Sequence, residues 1–172
     1  KPSHLCDNIT ERRDARQTAI VISLVFDSNF VRNRFHANAT VAYLREYRRA
    51  KNLISSLRKV NTSLPIVVMV GGERRLDLET QLATKNNVHI RKVTFIPPPR
   101  WASRWHRLSF EKIAALQLNE YESVIVLDND MVAFQNIDVL ATVPGPAAVF
   151  HPDPKVPGSF IVSVLLLLEP SN

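Results

Sequence analysis

An α/β fold, with a mostly parallel sheet covered by helices on both faces, is what this sequence predicts, and three observations carry the prediction. Apolar runs rich in β-branched residues recur along the chain, as strands buried on both faces do. Segments with apolar residues at helical spacing alternate with them, the pattern of parallel strands joined by crossover helices. The 172 residues, 45% hydrophobic and 22% charged, suffice for one sizeable core, and they show no repeat, low-complexity tract or linker. Disorder, collagen and a coiled coil are excluded.

Each element has its own justification. Residues 1–17 read as a stem or linker-like leader to a domain over 18–172, and Thr18 to Phe26 is the first strand. Ala42, Leu44, Tyr47, Ala50, Leu53, Ile54 and Leu57 recur at helical spacing until Asn61-Thr-Ser-Leu-Pro65 breaks the pattern. Pro65 to Val70 is the second strand, closed by Gly71-Gly72. Leu76, Leu78 and Leu82 mark a second helix ending near Asn86-Asn87, and Val88 to Phe95 is the third strand. Pro97-Pro98-Pro99 can join neither a helix nor a central strand, so a loop is expected as far as Arg107. Phe110 to Leu118 reads as a helix, Glu122 to Leu127 as a buried strand, and Ala147 to Phe150 and Phe160 to Leu168 as further strands.

The longest apolar stretch, Ile161 to Leu168, is far short of the ~20 residues of a membrane-spanning helix. The chain starts at Lys1 without a signal-peptide hydrophobic region, so any targeting segment or anchor is expected upstream. Cys6, the single cysteine, cannot cross-link the chain to itself. The formal charge of +6 gathers in Arg12, Arg13 and Arg16 and again in Arg45, Arg48, Arg49, Lys51, Arg58 and Lys59. No aromatic residues alternate with these charges as a base-stacking platform requires, so a solvated helix face is favoured over nucleic-acid binding.

The segment that carries chemistry is Val124-Ile-Val-Leu-Asp-Asn-Asp130. Two carboxylates, Asp128 and Asp130, follow an apolar strand at the sheet edge where open α/β folds bind ligands. Placed so closely they repel, and a hard divalent cation held by oxygen ligands would supply the counter-charge and neutralise a diphosphate leaving group. Taken alone, the same residues read first as ordinary turn formers after a strand.

The neighbouring residues resemble glycosyltransferase family 8, the glycogenin-like and galactinol-synthase-like retaining sugar transferases. Ser55-Ser56-Leu57-Arg58 is similar to the end of that family's first helix. Phe110-Glu-Lys-Ile-Ala-Ala-Leu-Gln-Leu-Asn-Glu-Tyr121 resembles its T-K-L-x-x-W-x-L-x-x-Y, leading into V-V-x-L-D-x-D at Val124 to Asp130 and N-I-D-x-L-F at Asn136 to Leu140. The resemblance implies a Rossmann-like glycosyltransferase domain of the A type, truncated at its C-terminus, that moves a hexose from a UDP-sugar to an acceptor hydroxyl with retention. It implies that Asp128 and Asp130 hold a manganese ion (Mn2+) bridging the donor diphosphate, with Asn129 between them and Lys112 near the phosphates or sugar. Asn136, Ile137 and Asp138 would form a structural turn.

In two places the pattern departs. The family's F-N-S/T-G strand falls on Ile161-Val162-Ser163-Val164, so that Val162 replaces a hydrogen-bonding Asn and Val164 a Gly. The H-x-x-G-x-x-K-P-W region, which supplies a third metal ligand, would lie beyond Asn172. Two other functions stay open: a catalytically degenerate nucleotide-sugar-binding or scaffolding domain, and a haloacid-dehalogenase-like phosphatase with Asp128 as nucleophile and Asp130 as acid. Arg100-Trp101-Ala-Ser-Arg104-Trp105-His106-Arg107 reads as a loop anchored on the core or as a sugar-binding loop, and His106 and His151 as ordinary loop residues. Three N-x-S/T sequons, at Asn8, Asn38 and Asn61, point to the secretory pathway and the Golgi lumen, with the cytoplasm as the alternative.

Overall fold

The computed structural model describes residues 18–26, 38–72, 75–94, 96, 99–101, 107–151 and 160–170. One six-stranded sheet organises them: β1 (Thr18–Phe26), β2 (Ile66–Gly72), β3 (His89–Lys92), β4 (Ser123–Leu127), β5 (Ala147–His151) and β6 (Phe160–Leu168), in the order β3-β2-β1-β4-β6-β5. The four strands β3, β2, β1 and β4 run parallel, with Thr18 facing Ser123 and Ile22 facing Leu127 across the central pair. β6 is antiparallel to β4, and β5 is antiparallel to β6, so the sheet is parallel on one side and antiparallel on the other. The expected strands are all present. The direction of the last two is added by the structure.

Alternation along β1 divides the core. Ile20, Ile22, Leu24 and Phe26 point to one face, with Ile66, Val68, Val70, Ile125 and Leu127 beside them. Helix α1 (Ala39–Lys59) covers this face with Ala42, Tyr43, Tyr47, Ala50, Leu53, Ile54 and Leu57, and helix α2 (Leu76–Asn86) adds Leu82. α1 starts where the Asn38 side chain accepts the Thr40 N–H at 2.9 Å, and Arg58 and Lys59 in its last turn suit the negative end of the helix dipole.

Ala19, Val21, Val67, Met69, Val124 and Val126 form the second face. The segment covering it, expected as a helix over Phe110 to Leu118, is wound as a 3-10 helix over Arg107–Gln117. Lys112, Ala114, Ala115 and Leu118 are buried there, while Ile113 and Leu116 are exposed.

Gly72 ends β2 with φ +67, and a Cβ there would sit 2.1 Å from the Phe26 carbonyl oxygen of the neighbouring strand. Gly72→Ala is therefore expected to lower stability by about 2 kcal/mol or more, combining a left-handed backbone with a clash against backbone that cannot move aside. Urea denaturation measures it, and a loss no larger than the few tenths typical of an exposed Gly→Ala change would show that the strand ends can separate.

Candidate functional site

The carboxyl ends of β1 and β4 lie side by side at the middle of the sheet, beside the point where pairing changes from parallel to antiparallel. Asp128 follows β4 directly, and the Met131 N–H reaches back to the Asp128 carbonyl at 3.4 Å, closing a turn around Asn129 and Asp130. Asp130 is exposed and Asp128 is partly buried. Lys112, buried to 6% side-chain exposure on the 3-10 helix, places its Nζ 2.5 Å from Asp128 Oδ1. Three of the four site residues expected from the sequence are thus together, and the fourth, Asn129, lies between the two acids.

The electrostatics follow from this packing. Burial pushes the Asp128 carboxyl up, Lys112 opposes that only in part, and the neighbouring Asp130 adds to the rise. Among the described residues no cluster of three or more His, Cys, Asp or Glu is arranged to hold a metal. The donor set of the turn is two carboxylates, one of whose oxygens is taken by Lys112. Carboxylate oxygens of this kind are the donors that fit a hard divalent cation.

Sequence reading misses three further polar groups at this edge. Glu46 of α1 accepts a hydrogen bond from Asn129 Nδ2 at 3.2 Å, and the Ser23 carbonyl of β1 lies 3.5 Å from the same nitrogen. Glu111 hydrogen-bonds the Ser23 side chain, and burial pushes its carboxyl up to about 8; Ser23 and Lys112 oppose the rise, while Asp128 and Glu46 reinforce it. Signals for two of them are present in the chain: Ser23 interrupts an apolar strand, and Glu46 stands three residues after Tyr43 and four before Ala50, beside the buried stripe.

Glu111 gives a pH dependence of defined sign. An unfolded glutamate titrates near 4.5 and the folded one near 8, so between those values the folded protein holds a proton that the unfolded one has lost. The stabilisation is complete below about 4.5 and is lost as pH rises toward 8. In Glu111→Gln the fall in thermal midpoint between pH 5 and pH 8.5 is expected to flatten; an unchanged slope would mean that Glu111 ionises normally.

After the turn, the chain is fastened to α1 and its C-terminal loop. The Ala133 N–H donates to Ser56 Oγ at 2.9 Å, and Asn136 Nδ2 donates to the Val60 and Asn61 carbonyls at 3.2 and 3.0 Å. Asp138 accepts from the Ser63 N–H at 2.7 Å, from Ser63 Oγ at 2.8 Å and from the Thr62 hydroxyl. Burial works to raise the Asp138 carboxyl, but these bonds outweigh it and hold the group below the usual range. The Asn136–Asp138 turn is structural, as expected, and Asn136 Oδ1 accepts from the Asp138 N–H at 2.8 Å.

Of the aromatic loop, Trp101 is 81% exposed and touches the Phe110 ring edge-on at a centroid distance of 5.9 Å, so it does not anchor the loop in the core. Arg104, Trp105, His106, Cys6 and Asn8 lie outside the described residues, as does the leader 1–17. The side chains of His151, Val162 and Val164 also lie outside them; the backbone of Val162 pairs with Val149, next to a register shift between β5 and β6.

Comparison with known proteins bears directly on this edge. The sequence model of the Mannosyl_trans3 family of mannosyltransferases matches residues 39–143, from the start of α1 through the acidic turn to the end of its fastening. The chain belongs to this mannosyltransferase family. Galactinol synthase 3 of Arabidopsis thaliana is 31% identical over 96 residues, covering 54% of this chain and 28% of that protein. Galactinol synthase 10 of the same plant is 31% identical over 100 residues, covering 54% and 29%. The chain thus spans less than a third of the length of these curated relatives. The glycosyltransferase GlyE of Streptococcus pneumoniae TIGR4 shares the fold, with a TM-score of 0.55 at 14% identity over 89% of this chain and 34% of that one. The fold agrees with the resemblance read from the sequence, a glycosyltransferase A-type sheet, and galactinol synthases are among the chain's relatives. The phosphatase reading finds no support, since its nucleophile belongs on the first strand and Asp128 follows the fourth.

Proposed function

We propose that this member of the mannosyltransferase family carries the donor-binding part of an enzyme that moves a hexose from a UDP-sugar to an acceptor hydroxyl with retention. The supporting observation is the Asp128-Asn129-Asp130 turn at the carboxyl edge of β4, with the buried Lys112 at 2.5 Å from Asp128. A family of mannosyltransferases and relatives named galactinol synthases both support a sugar substrate.

Each group has a part in this reading. Asp128 and Asp130 would hold manganese, which when bound neutralises the diphosphate and makes it a better leaving group. Lys112 supplies a point charge from a fixed direction; it holds Asp128 in place before the donor arrives and faces the donor's anionic part afterwards. Asn129 sets the spacing of the two acids. Exposed Asn38 and Asn61, each opening a sequon, accord with passage through the secretory pathway to the Golgi lumen.

Titration of UDP into the protein with and without manganese tests the donor site, and hydrolysis of a panel of UDP-sugars by the full-length protein tests the chemistry. Binding that needs the metal is the expected result; nucleotide binding indifferent to manganese would remove the metal-site reading. For the compartment, endoglycosidase treatment after expression in a secretory host is expected to lower the mass, and an unshifted band would count against the lumen.

A further inference from the structure

We propose that Glu46 is a positioning residue of the donor site, acting through Asn129 to set the acidic turn. The inference rests on the donor-site reading above and adds a residue on a different element, far from the turn in sequence.

Asn129 is the middle residue of the turn, and its amide is directed inward. Nδ2 donates to Glu46 Oε2 at 3.2 Å and approaches the Ser23 carbonyl at 3.5 Å, so the side chain is tied at once to α1 and to β1. With the central side chain drawn under the sheet edge, the two flanking residues are left to face the edge from fixed backbone positions. A bond from an amide to a carboxylate is charge-assisted and stronger than one between neutral groups.

Glu46 is itself held in place. Arg45 Nε lies 2.8 Å from Oε1 and Arg49 Nη1 lies 3.2 Å from Oε2, so two guanidinium groups from the same helix fix its carboxylate. Its side chain is only 22% exposed, beside the buried Tyr43, Tyr47 and Ala50. Its charge repels the Glu111 carboxyl, which a stability argument alone would not favour; the two arginines offset that cost. The arrangement is therefore a chain of contacts from Arg49 and Arg45 through Glu46 to Asn129, and from there to the backbone that carries Asp128 and Asp130. Glu46 acts on the donor without touching it.

Groups that orient ligands from behind typically cost about tenfold or more in metal affinity when removed. The test is UDP titration in manganese with wild type, Glu46→Met, Asn129→Ala, the double variant and Glu46→Gln, each checked for an unchanged cooperative melt. Methionine keeps the stem and the helical propensity while removing the acceptor, and glutamine keeps an acceptor oxygen. Each single removal is expected to weaken manganese-dependent UDP binding by about tenfold, and the double variant to be no weaker than either single. Glu46→Gln should recover most of the affinity. Multiplying losses in the double variant, no loss in Glu46→Met, or a glutamine variant as weak as the methionine one would each overturn the proposal while leaving the donor site intact. Absence of manganese-dependent UDP binding in the wild type would instead overturn the donor-site reading and this inference with it. The glutamine variant and Asn129→Ala carry the test if Glu46→Met does not fold.

Discussion

Replacing Lys112 by methionine should lower stability at pH 7 by about 2–3 kcal/mol, and the loss should shrink as the pH is lowered through the carboxylate range. Lys112 is buried at 6% exposure with Asp128 Oδ1 2.5 Å from its Nζ, and Asp128 keeps 27% exposure. Methionine fills most of the stem's volume, so the change in packing is small and the change in charge dominates. At pH 7 the variant leaves an Asp128 carboxylate that burial and Asp130 already disfavour, now without its counter-charge. Its pKa, already raised, should rise further. Once Asp128 is protonated the cost disappears from the variant, while the wild type is left with a buried lysine whose carboxylate partner has become neutral. Denaturation at pH 4 and pH 7 checks this, and an equal loss at both values would show that Lys112 stabilises by packing alone.

Asp130→Asn is expected to remove most manganese-dependent UDP binding, by at least about tenfold, with little effect on stability. Asp130 is exposed, and the substitution preserves shape while removing one of the two carboxylates proposed to hold the cation. Asp128→Asn should show the same binding defect together with a loss of stability, because it also removes the ion pair with the buried Lys112. That difference would separate the two acids, one serving the proposed donor site alone and the other both that site and the fold. Calorimetry and thermal melts on the same preparations decide it, and a full UDP response to manganese in Asp130→Asn would remove that residue from the site.

What could be read in the sequence, and what could not, has a physical basis. Thr18–Phe26 and Ser123–Leu127 are legible because strands covered on both faces need apolar residues at nearly every position. The antiparallel course of β6 is not, since Phe160–Leu168 would read the same in either direction. The 3-10 winding of Arg107–Gln117 is not legible either, since its apolar residues stand at both three- and four-residue spacing. The acid pair and Lys112 stand out through their ordered resemblance to known transferases. Glu46 is marked only by its place beside the buried stripe, since an acid amid Arg and Lys looks like a solvated face until the helix is docked, and Glu111 carries no signal of its own.

The bonds that tie residues 129–138 to α1 and its C-terminal loop have a consequence for hydrogen exchange. Asn129, Ala133, Asn136 and Asp138 are anchored at Glu46, Ser56, Val60–Asn61 and Thr62–Ser63, in the same order along both segments. The two stretches close like a zipper whose second row has its anchors on the helix side and few on the strands. An excursion that lifts α1 off the sheet must release the acidic turn at the same moment, while β1, β2 and β4 keep their own ladder. Amides of α1 and of residues 131–138 should then exchange as one unit with one opening free energy, lower than that of the central strands.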